Sequence, residues 1–122
     1  MQRDAADILD RWAIACIKIE WGGGEAAVEE RKIFDVGIKE LKEKYPQYDW
    51  NQFGEYMKTI TRDMFEHESD IRKGALDKDF EETGRRAIAT RKTNKFRTDF
   101  KNIINKLVGE GTQNIKVNHL ST

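Results

Sequence analysis

DFEETGRRAIATRKTNKFRTDFKNIINKLV, residues 79 to 108, is the stretch on which the fold turns. Phe96, Phe100, Ile103, Ile104 and Leu107 recur at three- and four-residue spacing, which at about 100° per residue puts them on one side of an α-helix. A seam of that size predicts burial. Asn94, Arg97, Lys101 and Asn105 keep the same spacing on the roughly opposite side and form a polar, basic stripe. Between Arg85 and Lys106 there are eight Lys or Arg and one acid, Asp99. Thr90 to Asn94 holds weak helix formers and no large apolar residue, and Phe80 and Ala87 project to a different side from Phe96. A kink or break near residues 90–94 is therefore one reading of this helix.

The remaining composition suits a small helical fold. A chain of 122 residues with 38% hydrophobic content fits one domain with a modest core. Charged residues at 36%, a single proline and helical apolar periods favour an all-α bundle over any sheet. The formal net charge is zero, which disfavours nucleic acid as a partner. The charge is segregated, acidic from Asp63 to Glu82 and basic from Arg85 to Lys106. The two segments either neutralise each other side by side or leave the basic one to meet a phosphate-bearing ligand. One cysteine, Cys16, excludes an internal disulfide and fits a reducing compartment. The first ten residues lack a signal peptide's apolar core and no apolar run approaches a membrane span, so a cytoplasmic protein is expected.

Four helices are predicted, over residues 5–21, 25–44, 49–73 and 79–108, making a bundle over 1–108 with a polar tail over 109–122. Asp4 caps the first, whose wide apolar face is Ile8, Leu9, Trp12, Ala13, Cys16 and Ile19. Gly22-Gly23-Gly24 stops it, and with no preceding strand and no GK[ST] ending this is a helix connection rather than a phosphate loop. The second helix has acids at its start and Lys39, Lys42 and Lys44 at its end, as the helix dipole favours. Its apolar residues Val28, Ile33, Val36 and Leu41 are sparse, which points to an exposed helix or to packing against a second subunit. Asp49 and Gln52 open the third as a capping pair, and Trp50, Phe53, Met57, Ile60, Met64 and Ile71 trace one stripe. Glu68 interrupts that stripe and calls for a partner, with Arg72 one turn on as a structural pair at i,i+4. Lys73-Gly74 ends this helix, and Asp77 or Asp79 caps the fourth.

Catalytic signatures are sparse. Glu66, His67 and Glu68 point about 100° apart on a helix and cannot share one ion, so no metal and no cofactor is expected. Cys16 lies in an apolar face with no histidine near it in sequence. Glu40 and Glu43, then Asp63 and Glu66, approximate the paired carboxylates with which all-α nucleotide pyrophosphohydrolases hold Mg²⁺, although the second pair has Asp before Glu where those enzymes have Glu before Asp.

Asp10-Arg11-Trp12-Ala13-Ile14 with Lys18 and Glu20, then Glu68 and Arg72, then Thr93-Asn94-Lys95, Arg97, Lys101, Ile104-Asn105, Leu107, Gly109 and Lys116 form a longer pattern. In order and spacing it resembles a family of short helical proteins from bacteria and tailed phages to which no function is assigned. Ala13 stands where that family usually has a hydroxyl and Lys95 where it usually has an acid. The resemblance implies an all-α fold and a phage origin. Its positions are largely polar, so Asp10, Arg11, Lys18, Glu68, Arg72, Asn94, Arg97, Lys101 and Asn105 either close into a salt-bridged network between helices one, three and four or line a cleft in which Arg97, Lys101 and Asn94, with Asn105, Lys18 and Arg11, hold an anion.

The expected function is thus binding rather than catalysis. A small phosphate-bearing ligand such as a nucleotide signal, held by the basic and Asn stripe of a homo-oligomer, is the first reading. A module that docks on a host protein is the second, and a Mg²⁺-dependent pyrophosphohydrolase the third.

Overall fold

The central element is the first helix, whose side chains are buried on almost every side. A computed structural model describes residues 3–72 and 80–109, and in it α1 (Ala5–Glu20), α2 (Gly24–Lys44), α3 (Trp50–Arg72) and α4 (Phe80–Val108) make an all-α bundle with no strand among the described residues. Ala5, Ala6, Ile8, Leu9, Asp10, Ala13, Ala15, Cys16 and Ile17 of α1 are all buried, and α1 packs against each of the other three helices. α2 and α4 run antiparallel to α1, with Lys18 beside Glu30 and Arg97 on Asp10, whereas α3 runs parallel to it, with Trp12 against Gly54 and Arg62 on Glu20. α2 and α3 barely touch, which leaves a groove between them over α1. No helix among the described residues is long and apolar enough to cross a membrane.

The helix ends follow from local chemistry. The Asp7 N–H donates to the Asp4 side chain at 2.7 Å, closing the first turn of α1. At the other end the Gly23 N–H reaches Lys18 O at 2.7 Å and the Gly22 N–H reaches Ile19 O at 3.1 Å, the paired bonds of a Schellman cap. That cap needs a left-handed residue, and Gly22 supplies it with φ of 83°. The Gln52 N–H donates to the Asp49 side chain at 3.0 Å to start α3. The Trp50 indole N–H donates to Tyr45 O at 2.8 Å, tying the beginning of α3 to the end of α2.

The main core forms where α1 begins and α2 ends, from Ile8, Leu9, Phe34, Ile38, Leu41, Trp50 and Ile104. The α3 stripe is inward as its spacing predicts, with Trp50, Met57, Ile60 and Met64 buried. α2 differs from expectation, because it buries Ala27, Phe34, Gly37, Ile38 and Leu41 while Ile33 and Val36 stay exposed. α4 runs unbroken through residues 90–94. The expected end of α3 at Lys73-Gly74, the Asp77 or Asp79 cap, the side chains of Ile71 and Arg72, the tail beyond Gly109 and Lys116 lie outside the described residues.

The apolar seam of α4 is where the structure corrects the sequence. Ile104 is fully buried and Phe100 half-buried, but Phe96, Ile103 and Leu107 are 61%, 55% and 45% exposed. The inward positions are Thr93, Arg97, Phe100, Ile104 and Val108, so the helix is turned by roughly 60° from the orientation its hydrophobic pattern predicts. The cause is a charge on α1. Asp10 is 2% exposed, and a buried carboxylate left without its cation would cost about 3–5 kcal/mol. Leaving three apolar side chains about half in water costs roughly 3 kcal/mol together, at the lower edge of the cost of an unpaired Asp10, so the balance favours the ion pair.

α3 and α4 also outrun α1. Trp21, just past the end of α1, packs edge-on against Phe65 at 5.9 Å, and seven residues of α3 follow Phe65, an overhang of about 10 Å. Between Met64 and Ile104 the only buried side chain among the described residues is Thr93. The two helices are joined there by polar contacts. The Thr93 hydroxyl donates to Asp63 at 2.8 Å, and Arg86 Nη1 lies 2.9 Å from His67 Nδ1. Arginine only donates, so Nδ1 accepts and the ring N–H sits on Nε2, 3.4 Å from Asp63.

Candidate functional site

The six basic and amide residues singled out by sequence fall into three places. Arg97 is bidentate on Asp10, Nε to Oδ1 at 2.7 Å and Nη2 to Oδ2 at 2.5 Å, with Lys101 Nζ 3.6 Å from the same Oδ2. Asn94 accepts from Arg97 Nη1 at 3.3 Å. One turn further, the Asn105 side chain accepts the Ala6 N–H at 3.0 Å and so satisfies a first-turn amide of α1 that has no partner in its own helix. Arg97 and Lys101 thus hold an anion that is the protein's own, with Asn94 on the guanidinium and Asn105 serving the start of α1 instead. Arg11 stands apart, exposed, at 3.6 Å from Asp7, and Lys18 is at the far end of α1, at 3.5 Å from Glu30.

The other candidates separate as well. Glu40 and Glu43 stand near the end of α2, level with the start of α3, whereas Asp63 and Glu66 lie 13 and 16 residues past Trp50, about 20 Å or more further along α3. Among the described residues no three His, Cys, Asp or Glu side chains come together as a metal site. Glu68 is half-buried as its stripe position predicts, while the Arg72 side chain of the expected pair is outside the described residues. Cys16 is buried, and that burial pushes its thiol above the usual range, which makes it inert. Glu20 receives Nε and Nη2 of Arg62 at 3.0 and 2.6 Å, and this hydrogen bonding lowers its carboxyl below the ordinary 4.5.

Two surfaces remain that sequence reading did not assemble. The first is the outward face of α3 and α4. Tyr48 lies 6.3 Å from Phe53, Phe53 lies 6.1 Å from Phe100, and Tyr56 stacks edge-on to Phe100 at 4.7 Å. The Tyr48 hydroxyl donates to Leu107 O at 3.2 Å. The aromatic row thus runs into exposed Phe96, Ile103 and Leu107 as one apolar surface. The second is the groove between α2 and α3, a cleft of about 370 Å³ lined by Trp12, Asp35, Ile38, Lys39, Lys42, Trp50, Asn51, Gly54 and Glu55. Periodicity finds each helix's core side, but a cleft arises from how far two helices stand apart, and no spacing in either helix reports that.

Gly54 shapes this cleft. A Cβ there would come within 3.0 Å of the Trp12 ring, so the glycine lets the indole lie against the α3 backbone. The indole N–H donates to Asp35 at 2.8 Å, and Lys58 Nζ sits 5.6 Å from the ring centroid. Comparison of the chain with known protein families, with curated proteins and with solved structures finds no match.

Proposed function

We propose that this is a binding protein that works by self-association, with the outward face of α3 and α4 as its contact surface. One observation carries the reading: Phe96, Ile103 and Leu107 of a 29-residue helix stand in water while Arg97 and Lys101 of the same helix are turned into the bundle. Contiguous exposed apolar surface on this scale marks an interface. A second copy is the favoured occupant because the chain has zero formal net charge, so two copies meet without net repulsion. From Phe96 to Leu107 the flank spans about 17 Å, and two helix widths of about 10 Å each give a footprint of roughly 330 Å², the scale on which exposed apolar patches mark contact sites.

The proposal moves the expected oligomer contact from α2 to α4. It also sets aside Arg97 and Lys101 as the seat of a phosphate, since an incoming anion would have to displace Asp10 from a bidentate pair. The resemblance to short phage and bacterial proteins makes a host protein the competing occupant of the same face.

The test is a charge placed on the flank. Light scattering on the wild-type chain at micromolar concentration is expected to give a dimer or larger species. Phe96→Glu with Ile103→Glu is expected to give a monomer with unchanged helical circular dichroism, because both side chains already face water. A wild-type monomer throughout, or an assembly that the substitutions leave intact, would remove the reading.

A further inference from the structure

The groove between α2 and α3 has the make-up of a small-molecule site, and its charges are divided unequally between those in use and those at liberty. Both acids on its rim are engaged: Asp35 by the Trp12 indole at 2.8 Å and by Arg31 at 4.0 Å, and Glu55 by Lys58 at 3.4 Å. Both lysines are not. Lys39 and Lys42 stand three residues apart on α2, so they share a side of that helix, and neither has an ion pair among the described residues. The free charge of the cleft is therefore positive although its formal charge is balanced. The floor is apolar and partly aromatic, made by Trp12, Ile38 and Trp50, and the Asn51 amide lies on the opposite wall with both a donor and an acceptor.

The geometry points to a nucleoside monophosphate bound in the α2–α3 cleft, its base against Trp12 and its phosphate on Lys39 and Lys42. A volume of about 370 Å³ is near the lower limit for clefts that take organic ligands, so it suits one nucleotide and not a dinucleotide. A flat apolar floor selects a ring, since an aliphatic anion would leave the indole uncovered. Two ammonium groups on one helix side select a dianion over a carboxylate, each giving a charge-assisted hydrogen bond. Asp35 keeps acceptor capacity beyond its bond to Trp12 and can receive an exocyclic amine or a sugar hydroxyl. The site is on a different face from the α3–α4 surface, so either proposal stands or falls without the other.

Titration calorimetry on the full chain with AMP, GMP, CMP and UMP tests it, with adenosine and orthophosphate as the ring alone and the anion alone. At least one nucleotide is expected to bind more tightly than both fragments. Lys39→Glu with Lys42→Glu is expected to weaken that nucleotide by about tenfold or more while adenosine is unaffected, and Lys95→Glu, remote on α4, is expected to leave both unchanged. Circular dichroism on each variant confirms that the bundle is intact. Absence of binding by all four nucleotides at millimolar concentration overturns the proposal. So does orthophosphate binding as tightly as the nucleotides, or equal affinity in the Lys39 and Lys42 variant.

Discussion

Replacing Arg97 by Met is expected to destabilise the protein by about 3–5 kcal/mol, because it leaves the Asp10 carboxylate buried with only Lys101 nearby. Lys101 at 3.6 Å is a single, longer contact and cannot replace the two parallel bonds of the guanidinium. Asp10→Leu combined with Arg97→Met is expected to recover most of that loss, since two apolar side chains of similar bulk need no solvation. Urea unfolding of wild type, both single variants and the double variant measures the coupling. A single-variant loss below about 1 kcal/mol would mean that the pair behaves like an exposed salt bridge, and the account of why α4 is rotated would then fail.

Leu9→Ala provides the second large effect and the sharpest contrast. Leu9 is fully buried in the main core, and truncation there is expected to cost about 2–5 kcal/mol. Phe96→Ala is expected to cost under about 1 kcal/mol in dilute, dissociated protein, although phenylalanine is the larger side chain, because most of its surface is already in water. Thermal and urea unfolding of the two variants at matched low concentration would rank them. If Phe96→Ala were the more damaging, α4 would be docked by its apolar seam after all.

These two contrasts locate what the sequence could tell. Helix number and approximate ends were readable because Asp4, Asp49 and the Gly22–Gly24 stop act over three or four residues of chain. The α3 side was readable because its inward residues are also its apolar ones. The inward side of α4 was not, because hydrophobic periodicity has no means of knowing that a carboxylate on α1 awaits a cation. Asp10 is one of five charged positions in α1, and although a network joining it to Arg97 and Lys101 is one reading of the sequence, its burial becomes visible only when Arg97, 87 residues later, is placed against it. Lys39 and Lys42 were legible as helix-end charges, and that reading concealed the cleft they overlook.

The overhang of α3 and α4 beyond Trp21 gives the molecule two zones of unequal cooperativity. Near the start of α1, opening α4 exposes Ile104 and strips Asp10 of its cation, so amides there exchange with solvent only in global unfolding. In the overhang the helices meet through Arg86, His67, Asp63 and Thr93, groups that water can solvate when they part. Among the described side chains, separating them releases little apolar surface, so amides of residues 66–69 and 80–92 are expected to exchange through local opening while the core stays closed, which hydrogen–deuterium exchange would resolve. Uniform protection along all of α4 would mean that it opens only as one piece. On this expectation the long helix is anchored at one end and breathes at the other, a hinge-like mechanical asymmetry set by where the described apolar contacts stop.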